Sequence, residues 1–235
     1  MRFFASTHNP EISSSDLRSP DLSSNHARSR GSASHAALAA LALVLCVLLS
    51  NCGSARPVKY FTIQGTPPAI QQSTTAYPVT IVVGHINAPL LYRDDRMVYS
   101  NGSVELGSDS YNRWAEQPTE MIESMLVQNL RATGQFRAVQ RMSSSGKGEY
   151  ILRGRLSAFN EVDNPGVTAR FTIDLELLEV KTGNVVWTFP YTNDQPVTET
   201  SVTAILLALQ SNVHTGLQQA TASLLQFFAA HPDGK

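Results

Sequence analysis

The alternation of apolar and polar positions is clearest in the second half of the chain. Tyr150–Phe159 sets Leu152, Leu156 and Ala158 against Arg153, Arg155 and Ser157. Arg170–Val180 sets Phe171, Ile173, Leu175 and Leu177 against Thr172, Asp174 and Glu176. A period of two places each set on one face of an extended chain, so both stretches predict half-buried strands. Val185–Tyr191 follows the turn Lys181-Thr182-Gly183-Asn184, with Trp187, Phe189 and Tyr191 on one face. Short loops between these segments predict two adjacent antiparallel hairpins. Val79–Ile86, "VTIVVGHI", is rich in β-branched residues and predicts a buried strand. Phe136–Gln140 predicts another. Leu90–Ser100 carries two apolar pieces around the polar turn Arg93-Asp94-Asp95-Arg96. Its second piece is expected to pair with Val104–Leu106 across Asn101-Gly102, a hairpin dipeptide.

The period changes to 3.6 in two places. Pro118–Thr133 puts Met121, Ile122, Met125, Leu126 and Leu130 on one side, with Pro118 suited to the first turn and Gly134 to the C-cap. Val202–Phe228 does the same with Ile205, Leu206, Leu209, Val213, Leu217, Leu224 and Leu225. Thr198, Thr200 and Ser201 are its cap candidates. The expected fold class is therefore mixed α/β, an antiparallel-rich sheet packed by two main helices.

The start of the chain follows another rule. Ten of the first 35 residues are serine, with no apolar period, which predicts a disordered leader. Ala36–Leu49 then has fourteen residues without a polar side chain. As a helix it would cover roughly 21 Å, short of the roughly 30 Å of bilayer hydrocarbon but right for a secretory signal. Arg28 and Arg30 form the positive flank. Leu49-Ser50-Asn51-Cys52 resembles a bacterial lipobox, in which the cysteine is acylated, with chains such as palmitate, and becomes the new N-terminus. An incidental cysteine after an ordinary signal, or an uncleaved anchor, is the competing reading; leader and cysteine position together favour lipid attachment at Cys52. Gly53, where aspartate would favour inner-membrane retention, points to the outer membrane, facing the periplasm.

These readings divide the chain into residues 1–51, a disordered leader plus signal peptide; 52–78, a lipidated tether and first short strand; and 79–235, a mixed αβ domain whose sheet is joined by residues 58–63. From residue 52 onward there are 14 basic and 16 acidic residues, a net charge of −2. That balance gives no field for nucleic acid. It also leaves the membrane to be reached through the N-terminal lipid.

Catalytic patterns fail one by one. Ser145-Gly146-Lys147-Gly148 lacks the flanking residues of a phosphate loop, since Arg141 and Gly148 stand where glycine and serine or threonine are needed. His85, His214 and His231 are far apart and lack ligand partners at metal spacing. Asp94-Asp95 reads as a polar turn paired with its own arginines. No enzyme activity, cofactor or metal is expected.

Two stretches go beyond generic pattern: "TIVVGHINAPLLYRDDRMVYS", Thr80–Ser100, and "YNRWAEQPTEMIESMLVQNLRATGQFRAV", Tyr111–Val139. Together with Lys59-Tyr60-Phe61-Thr62-Ile63 they resemble the ABC-type transport auxiliary lipoprotein family, the group of PqiC-like lipoproteins. The resemblance implies an outer-membrane lipoprotein acting as a non-catalytic accessory of lipid transport between the two membranes. Its implied partners are an MCE-domain protein and an ABC transporter permease and ATPase; a homo-oligomer is compatible with it. A structural or assembly lipoprotein of the envelope or of a secretion apparatus is the alternative. Arg113 and Trp114, at the start of the second stretch, are candidate partner contacts, with a polar anchor and a core anchor as their plainer roles.

Overall fold

The structure is a computed structural model that describes residues 35, 38–43, 56–64, 77–102, 104–143, 146–163 and 165–231. The chain divides into two compact units, 1–55 and 56–235. In the first, residues 38–43 are helical and exposed. Among the described residues no helix is long and apolar enough to cross a membrane. Cys52 and residues 65–76 of the segment expected as tether and first strand, 52–78, lie outside the described residues.

In the second unit the strands are β1 (Lys59–Phe61), β2 (Tyr77–Asn87), β3 (Arg96–Ser100), β4 (Leu106–Trp114), β5 (Phe136–Arg141), β6 (Tyr150–Asp163), β7 (Val167–Glu179) and β8 (Val185–Pro196). Helix α1 spans Pro118–Ala132 and α2 spans Val202–Ala230. A 3-10 turn, Leu90–Tyr92, precedes β3.

All eight strands form one mixed sheet, and β6 organises it. On one side β6 pairs antiparallel with β7 along its length, and β7 continues antiparallel to β8. The other side of β6 is shared. Its first half pairs parallel with β2, Ile81 opposite Tyr150, and its second half pairs parallel with β3, Val98 opposite Asn160. β5 extends the sheet beyond β2, and β4 then β1 extend it beyond β3. Both hairpins expected around β7 are present. The four parallel pairings were not anticipated, because parallel neighbours are joined by distant crossovers rather than by readable turns.

The alternation of β7 holds as expected: Phe171, Ile173, Leu175 and Leu177 are all buried. In β6 a register shift between Leu156 and Ala158 moves Phe159, not Ala158, into the core. The β3–β4 hairpin forms, but Ser100 faces Leu106, so the connection is five residues long, with Gly102 at φ 100°. Val104, expected to pair, is exposed in that loop.

Both helices cover the same face of the sheet and share one apolar core. Helix α1 begins at Pro118 and is followed by Gly134 at φ 63°, as its end requires. Ser201 caps α2 by accepting a hydrogen bond from the Ala204 amide at 3.2 Å. Close approach of α2 to the sheet depends on Gly216: a Cβ there would come within 2.8 Å of the Tyr191 ring. Asn212, fully buried on the same helix face, donates to the carbonyls of Ala169 (2.9 Å) and Asn193 (2.8 Å). Its Oδ1 accepts from the Tyr191 hydroxyl (2.9 Å) and from Asn193 Nδ2 (3.0 Å). All four hydrogen-bonding positions of this amide are thereby filled, which is what its burial requires.

Candidate functional site

The sheet face away from the helices is polar, because alternation sends the arginines and carboxylates of β6, β7 and β8 outward. Arg153 bonds Glu176, and Arg170 holds Asp194 through two contacts of 2.7 Å. Asp194 is held below the usual carboxylate range by the Arg170 guanidinium, against the smaller opposing effect of burial. A broad, open depression of about 690 Å³ lies here, with Arg153, Arg155, Asp174, Glu176 and Pro190 among its lining residues. Its cations and anions are interleaved, so it presents no single-sign field.

A second, polar depression of about 340 Å³ adjoins the start of α1. Its organising group is Glu123, buried on α1. The carboxylate accepts from the Ile86 amide (2.8 Å) and from Arg141 (3.2 Å), and His85 Nδ1 stands 3.6 Å away. His85 itself is exposed, at a register shift in β2. A buried carboxylate held by a backbone amide and a guanidinium locks α1 to the bend in β2. Among the described residues no group of three histidines, cysteines or carboxylates is placed to hold a metal ion.

Arg113 and Trp114 end β4. Arg113 Nη1 bonds both carboxylate oxygens of Asp95, at 3.0 and 3.2 Å, and the Trp114 amide donates to the Asp95 carbonyl at 2.6 Å. The turn before β3 is therefore pinned to β4. Only Asp94 stays with its own turn, 3.5 Å from Arg96, where the sequence suggested that both aspartates pair locally. Trp114 is 2% exposed and packs on Phe159, ring centroids 5.1 Å apart. Its indole N–H is buried without an acceptor among the described residues.

Trp114 also lines a third feature, a narrow cleft of about 50 Å³ between β3, β4 and the first turns of α2. Asp109 and Glu161 line it as well. Burial raises the Asp109 carboxyl, but bonds from the Asn112 and Tyr111 amides and the Asn112 side chain outweigh it and hold it low. Glu161 goes the other way: burial, then the charges of Asp163 and Asp109, push it up. Sequence reasoning missed this cleft, because its residues come from four elements and Glu161 looks like any outward position of β6.

These carboxylates set the acid limb of stability. Glu149, lowered by the Thr80 amide and then by Arg137, behaves like Asp109 and Asp194. A carboxyl with a depressed folded pKa stabilises above its unfolded value, about 4, and that contribution vanishes as pH falls through the folded value. Glu161 has the opposite sign and favours the fold when protonated. Asp95 is lowered as well, burial being outweighed by its hydrogen bonds; four groups against one predict a thermal midpoint that falls as pH drops below about 4. Thermal unfolding followed by circular dichroism from pH 6 to pH 2 checks this, and a midpoint that rose on acidification would contradict it.

The fold and these surfaces define a class first: a two-layer α/β module with one helical layer, one open charged sheet face and clefts at the helix starts. The chain belongs to the family described as the ABC-type transport auxiliary lipoprotein component, whose model matches residues 61–220. The resemblance seen in the sequence is therefore confirmed at the level of family. A crystal structure of a protein from Xanthomonas campestris is similar at 17% identity, covering 74% of this chain and 99% of that one, with a TM-score of 0.66. A second crystal structure, of an uncharacterized protein, is similar at 13% identity over 73% and 98% of the two chains, with a TM-score of 0.55. At these identities the likeness establishes the fold. No curated protein matches the chain.

Proposed function

We propose that this chain is a lipoprotein of the outer membrane, held facing the periplasm by lipid on Cys52, and that it serves as a non-catalytic accessory of an ABC and MCE-type system moving lipid between membranes. The family match over residues 61–220 carries this reading: it makes the chain an auxiliary lipoprotein component of ABC-type transport. The leader supports the anchor. A fourteen-residue apolar run ending just before Leu49-Ser50-Asn51-Cys52 suits export followed by acylation. Two acyl chains would hold the protein stably, since each buried methylene contributes about 0.8 kcal/mol.

The partners on this reading are an MCE-domain protein and, through it, the permease and ATPase. The energy of transport comes from the ATPase, and the accessory contributes shape and contact. The interleaved charges of the open sheet face and the clefts beside α1 and α2 are its available surfaces. Arg113 and Trp114 act there by holding the β3–β4 region in place beside a partner.

Affinity purification of the full, lipid-anchored protein from detergent-solubilised membranes tests the reading. The expected result is recovery of an MCE-domain protein in stoichiometric amount. Recovery of a surface-assembly machine with no MCE-domain protein would overturn it.

A further inference from the structure

The cleft beside α2 is built unlike the rest of the surface. Met97 and Tyr99 from β3 form one wall, and Ile205, Leu206 and Leu209 from α2 form the other. Phe159 and Trp114 also line it. Two carboxylates line it, and no lysine or arginine does. Asp109 is occupied by three local hydrogen bonds, to Tyr111 N, Asn112 N and Asn112 Nδ2. Glu161 has no hydrogen-bond or ion-pair partner for its carboxylate among the described residues, and its charged neighbours, Asp109 and Asp163, repel it. A half-buried carboxylate between apolar walls, left without a cation, costs stability. Elsewhere on this sheet arginines meet carboxylates directly, as Arg153 meets Glu176 and Arg170 meets Asp194.

A second observation points the same way. The Trp114 indole N–H is buried and lacks an acceptor, in a side chain 2% exposed. An unfilled donor and an uncompensated acceptor thus belong to residues lining one narrow cleft. The outer wall is apolar and reachable, with Tyr99 40% and Val202 36% exposed. Gly107 lets the Tyr99 ring lie across β4, since a Cβ there would stand 2.4 Å from that ring.

We propose that this cleft receives one lysine or arginine side chain from a segment of a partner protein, its cation on Glu161 and its aliphatic stem against Ile205, Leu206 and Met97. Long basic side chains bury their methylenes along apolar walls while keeping the charge at a polar end. The volume, about 50 Å³, suits the end of a single side chain and not an acyl chain. Charge complementarity selects a basic partner, and the apolar rim selects one with apolar residues flanking the cation. This deepens the accessory reading by naming a contact surface, and it rests on that reading only for the partner being a transport component.

The test uses the lipid-anchored protein in detergent and a defined probe, acetyl-Leu-Arg-Leu-amide, with acetyl-Leu-Gln-Leu-amide as control. The chain has two tryptophans, so Trp187→Phe assigns the indole N–H resonances. The arginine peptide is expected to shift the Trp114 resonance saturably at millimolar concentration, with the glutamine peptide at least tenfold weaker. Glu161→Gln is expected to weaken binding at least tenfold while raising the thermal midpoint, because it removes an uncompensated charge and keeps the shape. An unmoved Trp114 resonance, equal binding by Glu161→Gln, or a lowered midpoint in that variant overturns the proposal. So does a shift produced only by aminophospholipid vesicles, which makes it a lipid site, or only by raising protein concentration, which makes it a self-contact. Failure here leaves recovery of an MCE-domain protein untouched, so the two readings fail separately.

Discussion

Replacing Asn212 by alanine is expected to destabilise the protein by about 3–5 kcal/mol, a large share of the 5–15 kcal/mol typical of a folded domain. The amide is fully buried and joins α2 to β7 and β8 through four hydrogen bonds of 2.8 to 3.0 Å. Truncation removes all four. It leaves the Tyr191 hydroxyl, whose pKa burial already raises, with only a long 3.4 Å contact to the Asn212 carbonyl, and leaves the Ala169 carbonyl short of a partner outside the ladder. It also opens a void where Gly216 brings α2 closest to Tyr191. Urea unfolding of the variant should show a lower midpoint with an unchanged slope. A loss below about 1 kcal/mol, the net worth of one ordinary hydrogen bond, would show that the network does not join the layers.

Trp114→Ala is expected to cost a similar amount, about 3–5 kcal/mol, by a different route. Trp114, Phe159, Phe171 and Tyr191 form a run of ring contacts with centroids 5.1, 6.3 and 5.7 Å apart. The run starts at the end of β4, crosses β6 and β7, and ends on β8. Removing its first member detaches the β1, β3 and β4 extension from the packed core, while α2 stays fixed to β7 and β8. Native-state hydrogen exchange should therefore lose protection first in β1, β3 and β4, ahead of the β6–β7–β8 meander. Trp114→Phe should retain most of the stability, because it keeps an aromatic body against Phe159. Uniform loss of protection across the sheet would contradict this division.

How much of this was legible in the chain depended on whether a residue's role is local. Strands β6, β7 and β8 and both helices follow from alternation and helical spacing because one of their faces is buried and the other is wet. Strand β4, "LGSDSYNRW", gave no such signal. It is polar on both sides and is a strand because β1 and β3 pair with it. The division of one edge of β6 between β2 and β3 was equally hidden, since no turn links those strands to it. Asn212 is not among the apolar positions that mark this helix in the sequence; the arrival of Tyr191 and Asn193 makes it a core residue. Of the candidate site, Trp114 was visible as an aromatic beside a helix start and is seen to be buried. Arg113 binds Asp95, a pairing across 18 residues that local spacing does not suggest. Glu161, which carries the proposed contact, was invisible because what marks it is an absence of partners among the described residues in three dimensions.

The account turns on the proposed anchor at Cys52, which would hold this α/β module at a membrane surface. Mass spectrometry of the N-terminal peptide from the exported protein tests this most directly. The expected peptide begins at Cys52 and carries lipid on its sulfur; a chain that starts elsewhere, or one that keeps Cys52 as a bare thiol, would contradict the account.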